Sequence, residues 1–497
     1  MQFYVLLGAA TLIIAILGVI IQRRTKMPVF VLAVGFLYYW SLVGGWVIVS
    51  GKTAGAGEED LYLYHKLFPI HLDDDYWWSL VMYALFVISF ELAILHFARR
   101  AAPEEISMPP GDRLVVSHAR IVTMCGAAGF IGYLLVKDSI AEAAAMSISA
   151  YGHVCKATEY FTLHQIFNQT ALLPLALGFG VFLCGSDGRY VVGRRTLLTG
   201  SGYAAVAAGL FLLNMILGQR GEVVAPIILA VSFYLINAKR PSPWLLGGLV
   251  GSAVAGVWLV TVARGGLSFE GAHEGVWLAA GKNLFDTFRG VETVAAHFSM
   301  YGVIHKGVPL LYGLSIAVLL LSVIPRAIWP GRPSGAYEYY AAHVGALEGQ
   351  GYTLHHATGW YMNFGAIGVF FGGASLGWIA AKLFNALAAP ASNRSHLYRV
   401  FIAIGFASFT AKLPLMIRDG IEGYKSLVVE AFLIPALVIA LSSTKVMRRQ
   451  GRPVVIGSRA FHYDRTLALP RGAGLAWAQE NPRTTAAYHR SDRRQPA

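Results

Sequence analysis

The sequence predicts an all-α, polytopic integral membrane protein with about eleven transmembrane helices and a large external loop between the eighth and ninth. Three observations predict it. The 497 residues are 56% hydrophobic and only 13% charged, with a mean hydropathy of +0.54, against about 25% charged in a soluble domain. Apolar runs near the length of a membrane crossing recur along the chain. The loops between them alternate in charge. A soluble multidomain enzyme is excluded on composition, and a β-barrel by the absence of short alternating strands.

The apolar runs place spans at 3–21, 28–49, 77–97, 118–136, 168–185, 197–217, 223–238, 244–262, 360–386, 398–413 and 425–443. The first lacks a basic start and a cleavage site, and its basic cluster (Arg23, Arg24, Lys26) follows the run, so it is read as an uncleaved span. Basic loops at 22–26, 98–100, 188–195, 237–240 and 393–399, with the tail after Lys445, all fall on one side, which the positive-inside rule makes cytoplasmic. The loop 51–75, with Glu58, Glu59, Asp60, Asp73, Asp74 and Asp75 against Lys52 and Lys66, falls on the other. The N-terminus is therefore expected outside and the C-terminus inside. Much of the net charge of +13 sits in residues 444–497, where eleven Lys/Arg face three Asp/Glu, a net of +8. Such a tail fits anionic headgroups better than nucleic acid, and its composition predicts disorder.

Residues 308–324 are apolar enough to cross, but a lone crossing there would move the 393–399 loop and the basic tail outside. A re-entrant or interfacial helix, or a hairpin packed with the stretch 274–300, is expected instead. The chain then divides into residues 1–263 with spans one to eight, a 264–358 external loop, 359–443 with spans nine to eleven, and the 444–497 tail. A loop that long is expected to be functional.

Polar chemistry gathers at the outer ends of the spans. Arg220, Arg264, Arg289, Arg326, Arg332 and Arg418 all fall on the side where the positive-inside rule depletes arginine. Each alone reads as a side chain snorkelling to the headgroups. Together they suit a phosphate-bearing substrate, because guanidinium forks match phosphate oxygens. His355 and His356, just before the ninth span, are candidates for proton transfer, against the alternative of an interfacial aromatic belt. Trp329, held in PRAIWPGRP by Pro325, Pro330 and Pro333, and Trp360, Tyr361 and Asn363 in TGWYMNFG are candidate glycan contacts. The glycines Gly368, Gly372, Gly373 and Gly377 follow at helix-packing spacing. Cys125, Cys155 and Cys184 show no redox or zinc spacing, no HExxH is present, and neither a metal nor a cofactor is expected. The Asp73–Asp75 run reads as a solvated loop, with a divalent-cation site as the alternative.

These features together resemble the O-antigen polymerase, or oligosaccharide repeat-unit polymerase, family. Pro325, Arg326, Trp329, Pro330, Arg332 and Pro333 match its outer-loop turn, and Tyr361, Asn363, Phe364, Gly365 and Gly368 match its entry to the next span. The resemblance is strongest over residues 205–445. It implies an enzyme of the bacterial cytoplasmic membrane, a glycosyltransferase that moves a growing glycan from one undecaprenyl pyrophosphate carrier onto another carrier-linked repeat unit. The bilayer, and a chain-length regulator and a flippase, are the implied partners. The six arginines would grip pyrophosphate, with Arg220, Arg264 and Arg326 foremost. Many relatives carry a Glu before the aromatic-x-Asn run, whereas this chain has Gly359 and Trp360; the proton-transfer role then passes to His355, His356 or Glu292. A ligase that moves finished glycan from the same carrier is the nearest alternative. A non-enzymatic flippase or transporter is the next, although no internal repeat is present.

Overall fold

In a computed structural model, the described residues are 1–51, 70–100, 113–146, 161–217, 220–252, 255, 291–321, 329, 331, 333, 335–345, 353–389, 395–449 and 452–456. Residues Met1–Val454 form one compact unit; of the second, Val455–Ala497, only the end of a strand is described.

The helices run in the order α1 (Gln2–Thr25), α2 (Pro28–Val49), α3 (Asp74–Phe97), α4 (His118–Ala145), α5 (Phe161–Cys184), α6 (Leu197–Ile216), α7 (Arg220–Asn237), α8 (Val291–His305), α9 (Leu314–Leu321), α10 (Ala336–Val344), α11 (His356–Ala388), α12 (His396–Arg418) and α13 (Leu427–Leu441). Among the described residues, α1–α6, α11 and α12 are long and apolar enough to cross a membrane, and α7 and α13 carry shorter apolar stretches. The chain is therefore a multi-pass helical membrane protein. Large apolar side chains left exposed on the helix flanks, among them Leu12, Ile13 and Ile16 on α1 and Ile367, Phe370 and Phe371 on α11, present the surface that lipid covers.

Helix ends follow local chemistry. Asp73 caps α3 by accepting from Tyr76 N, Thr196 forms a capping box with Thr199 on α6, and Ser395 caps α12. The most extensive helix contact joins α3 to α11. There Gly373 and Gly377 leave no room for a side chain against the Phe86 and Phe90 carbonyls, which is the close approach their spacing predicts.

The basic loops meet at one end of the bundle. Strands β1 (Arg113–Val116), β2 (Val191–Gly193), β3 (Ser443–Arg449) and β4 (Arg452–Ile456) form a sheet of order β2-β1-β3-β4. In it β1 runs parallel to β2 and antiparallel to β3. The fold is mostly helical, as expected, with this small sheet added; strand residues are described as far as Ile456, where Thr444, Val446, Val454 and Val455 supply β-branched residues. The sheet also puts the segments at 113–116, 191–193 and 443–449 on the same side, as the charge alternation requires. At the opposite end, His305 meets Asp75, and Leu354 bridges Asp419.

The stretch 306–353 thus leaves and returns at that opposite end. Helix α9, eight residues long, extends only about 12 Å, far short of a bilayer. Helix α8 departs from the interfacial expectation. Val294, Ala295, Ala296, Phe298, Met300 and Tyr301 are all buried, because the stretch from Val294 to Met300 is apolar or small on every face apart from His297. It is a helix of the bundle interior. Much of the expected eighth span, most of 264–290 and the residues after 456 lie outside the described residues.

The glycine contact yields a prediction. Gly377→Leu forces a side chain into the α3 backbone, an overpacking that costs about 1–3 kcal/mol. Thermal unfolding in detergent will show a lowered midpoint, while Ile367→Leu on the lipid-facing flank leaves it unchanged.

Candidate functional site

The structure places polar groups at the non-basic end in two connected clusters. The first is built on the start of α11. His355 is its N-cap: Nδ1 accepts from Ala357 N (3.1 Å), Nε2 lies 3.2 Å from Ser41 Oγ, and the backbone N–H donates to Ser299 Oγ (3.2 Å). His356 donates from Nδ1 to the Gly420 carbonyl (2.8 Å) and accepts at Nε2 from Trp360 Nε1 (3.1 Å), with Tyr424 Oη 3.4 Å away. Both imidazoles are fully buried. His297 of α8 joins them, paired with Tyr76 Oη (3.3 Å) and packed on the Tyr83 ring, which also packs on His355.

Burial holds His297 down to about 3. Burial, reinforced by His297 and His356, holds His355 well below the usual imidazole range. His355 and His356 are packing elements with both ring nitrogens committed, whereas His297 Nε2 is buried with no hydrogen-bond partner among the described residues. The sequence reading of His355 and His356 as proton carriers gains nothing from this geometry; the aromatic-belt alternative describes it better, moved from the interface into the interior.

The entry motif makes a helix break. Phe364 (φ −144°, ψ 22°) and Gly365 (φ 60°, ψ −147°) are non-helical inside α11. The positive φ needs glycine. The break frees the Met362 carbonyl, which accepts from Leu311 N (2.7 Å), while Asn363 bonds Ser315 Oγ (2.7 Å) and the Gly359 carbonyl (2.7 Å). Asn363 is thus buried and structural. Trp360 and Tyr361 are half-buried, and Trp329 is 38% exposed.

The second cluster lies among α5, α7, α12 and α13. Lys412, only 2% exposed, donates to Glu430 Oε2 (3.1 Å). Glu430 sits in a π-helical turn, Leu427–Leu433, a geometry common at functional sites. Gln169 Nε2 donates to Glu222 Oε2. Lys412, Glu430 and Asp419 all act electrostatically on Glu222. Below it, Asn168 and Asn214 bond each other (2.9 Å).

The two clusters meet at the turn after α12. Leu354 bridges Asp419, His356 bonds Gly420, and Arg418 Nε lies 4.0 Å from Asp419 Oδ1. Of the predicted arginines, Arg418 is thus brought beside the motif helix. Arg220 opens α7, but its side chain, that of Glu292, and all of Arg264, Arg289, Arg326 and Arg332 lie outside the described residues. A third group stands nearby: Asp73, Asp75 and His305 hold donor atoms within 4.8 Å of one another and are the described residues that could hold a cation. Here His305 Nδ1 lies 2.9 Å from Asp75 Oδ2, and Asp73 accepts from Tyr301 Oη (3.1 Å).

Sequence reasoning passed over Lys412, Glu430 and Gln169. Their signal was legible: ionisable and amide side chains inside apolar runs are costly in a bilayer and mark functional positions. No family model, curated protein or solved structure matches the chain.

The buried imidazoles yield a pH prediction. Their folded pKa lies below the unfolded value of about 6.5, so the unfolded state binds more protons once the pH drops below that value. Stability is fully present above about pH 6.5 and is lost progressively toward about 3 for His297, with a slope of at most about 1.4 kcal/mol per pH unit per ring. Thermal unfolding between pH 7 and 5 will show the decline, and His297→Gln will flatten it.

Proposed function

We propose that the chain polymerises undecaprenyl-pyrophosphate-linked oligosaccharide repeat units into a surface polysaccharide such as O-antigen, capsule or exopolysaccharide. It does so by glycosyl transfer at the outer face of the bacterial cytoplasmic membrane. The N-terminus is outside, the basic end cytoplasmic, and the site opens outward. One observation carries the reading: the Leu354–Asp419 bridge and the His356–Gly420 bond seat the motif helix against the turn that bears Arg418. A sequence pattern shared with polymerases and one of the cationic groups that a pyrophosphate needs therefore meet.

The chemistry needs few parts. The bond from the donor's anomeric carbon to pyrophosphate breaks, and the leaving group keeps the electron pair. The acceptor hydroxyl oxygen bonds to that carbon and loses its proton. Arginines stabilise the developing pyrophosphate charge, and the half-buried Trp360 and Tyr361 offer faces on which sugar rings pack. Holding both carriers in line supplies the rest.

Purified protein given carrier-linked repeat units is expected to make longer glycan. Arg418→Ala, Arg220→Ala and Arg326→Ala are each expected to abolish polymer in cells at unchanged protein level, read on gels of surface polysaccharide. Full-length polymer in all three variants would refute the arginine assignment. Cells lacking the protein should carry single repeat units; long unattached carrier-linked chains would point to a ligase. Wild-type protein that elongates nothing would point to a transporter.

A further inference from the structure

We infer that the Glu222 carboxylate is the base that removes the acceptor hydroxyl's proton, an assignment that rests on the polymerase reading above. Of the candidates named from sequence, His355 and His356 are poorly placed, and the Glu292 side chain lies outside the described residues. His355 and His356 are fully buried, with every ring nitrogen committed to a partner. A base must reach the proton it takes.

Glu222 meets that demand. It lies in the first turn of α7, at the outer end of the bundle, and is partly exposed. One oxygen, Oε2, accepts from Gln169. The other has no hydrogen-bond partner among the described residues, which leaves a lone pair for an incoming hydroxyl. Burial raises its pKa to about 7, against the pull of Lys412. Lys412 of α12 is the neighbouring cation, and Glu430 of α13 and Asp419 of the turn are the neighbouring carboxylates.

Glu430 is the weaker candidate. One of its oxygens is held directly by the Lys412 ammonium. Its pairing leaves Lys412 neutralised but close, so the cluster keeps one positive charge near two carboxylates.

The step balances. As the acceptor oxygen bonds to the anomeric carbon, its proton passes to Glu222. The bond to pyrophosphate breaks and its electrons leave with the carrier. Glu222 then releases the proton to water.

The test uses full-length protein in lipid nanodiscs with carrier-linked repeat units, with glycan elongation as the readout. Glu222→Gln, nearly isosteric, is expected to lose about 100-fold or more in rate, the lower range for a general base, while keeping the wild-type melting temperature. Glu222→Ala is expected to regain activity with added formate, a response that a packing role would not give. Wild-type elongation with Glu222→Gln within tenfold of it, or no formate rescue of a folded Glu222→Ala, overturns the assignment and leaves the polymerase reading standing. Wild-type protein that elongates nothing overturns both.

Discussion

The hydrogen bond from His356 Nδ1 to the Gly420 carbonyl is the constraint on which the end of the bundle opposite the sheet depends. In a bilayer, a backbone carbonyl left free at a turn has no water to turn to. The turn after α12 exposes such a carbonyl, and the first residue of α11 answers it. That bond fixes the imidazole tautomer, makes Nε2 an acceptor and so sets the Trp360 indole. It also draws the turn so close that Gly359 lies against the Ile421 backbone and side chain. A side chain at this position would press on Ile421, so the glycine suits the packing.

Much of the fold was legible because lipid imposes one rule everywhere. A crossing must be long, apolar and helical, and eight described helices follow it. Charge alternation was equally readable, since β1, β2 and β3 gather basic-side segments into a single sheet. The sheet itself was hidden: short strands flanking charged loops carry little periodicity, and their partners are more than seventy residues apart. Helix α8 was misplaced for a related reason. Its seven-residue core, from Val294 to Met300, contains His297 and Ser299, which suggest an interface until Tyr76, Tyr83 and Thr358 are seen to receive them.

The candidate site was half legible. The Asn363–Phe364–Gly365 run marked a special position, but only the backbone shows that it is a break whose freed carbonyl is taken by Leu311. Arginines at helix ends were counted by their side of the membrane, a property of sequence. Lys412 and Glu430 were missed because each stands alone in its own apolar run. Lys412 and Glu430 stand on consecutive helices, and Glu222 reaches them from a helix nearly 200 residues earlier in the chain.

Two π turns then share an arrangement. Tyr39–Val43 carries Ser41 to His355, and Leu427–Leu433 carries Glu430 to Lys412, while the Ala431 carbonyl in that turn is taken by Ser408. A π turn widens the helix and leaves carbonyls without their usual partners. In lipid that is tolerable only where neighbouring side chains supply the missing bonds. Both turns therefore occur where the bundle can satisfy them, beside its polar clusters. The same polar interior that supports the irregular backbone is what the proposed transfer chemistry uses. Lys412 shows the connection: removing it would strip Glu430 of its cation and alter the field at Glu222 in one step. Support of the fold and tuning of the proposed base are, at that residue, the same interaction.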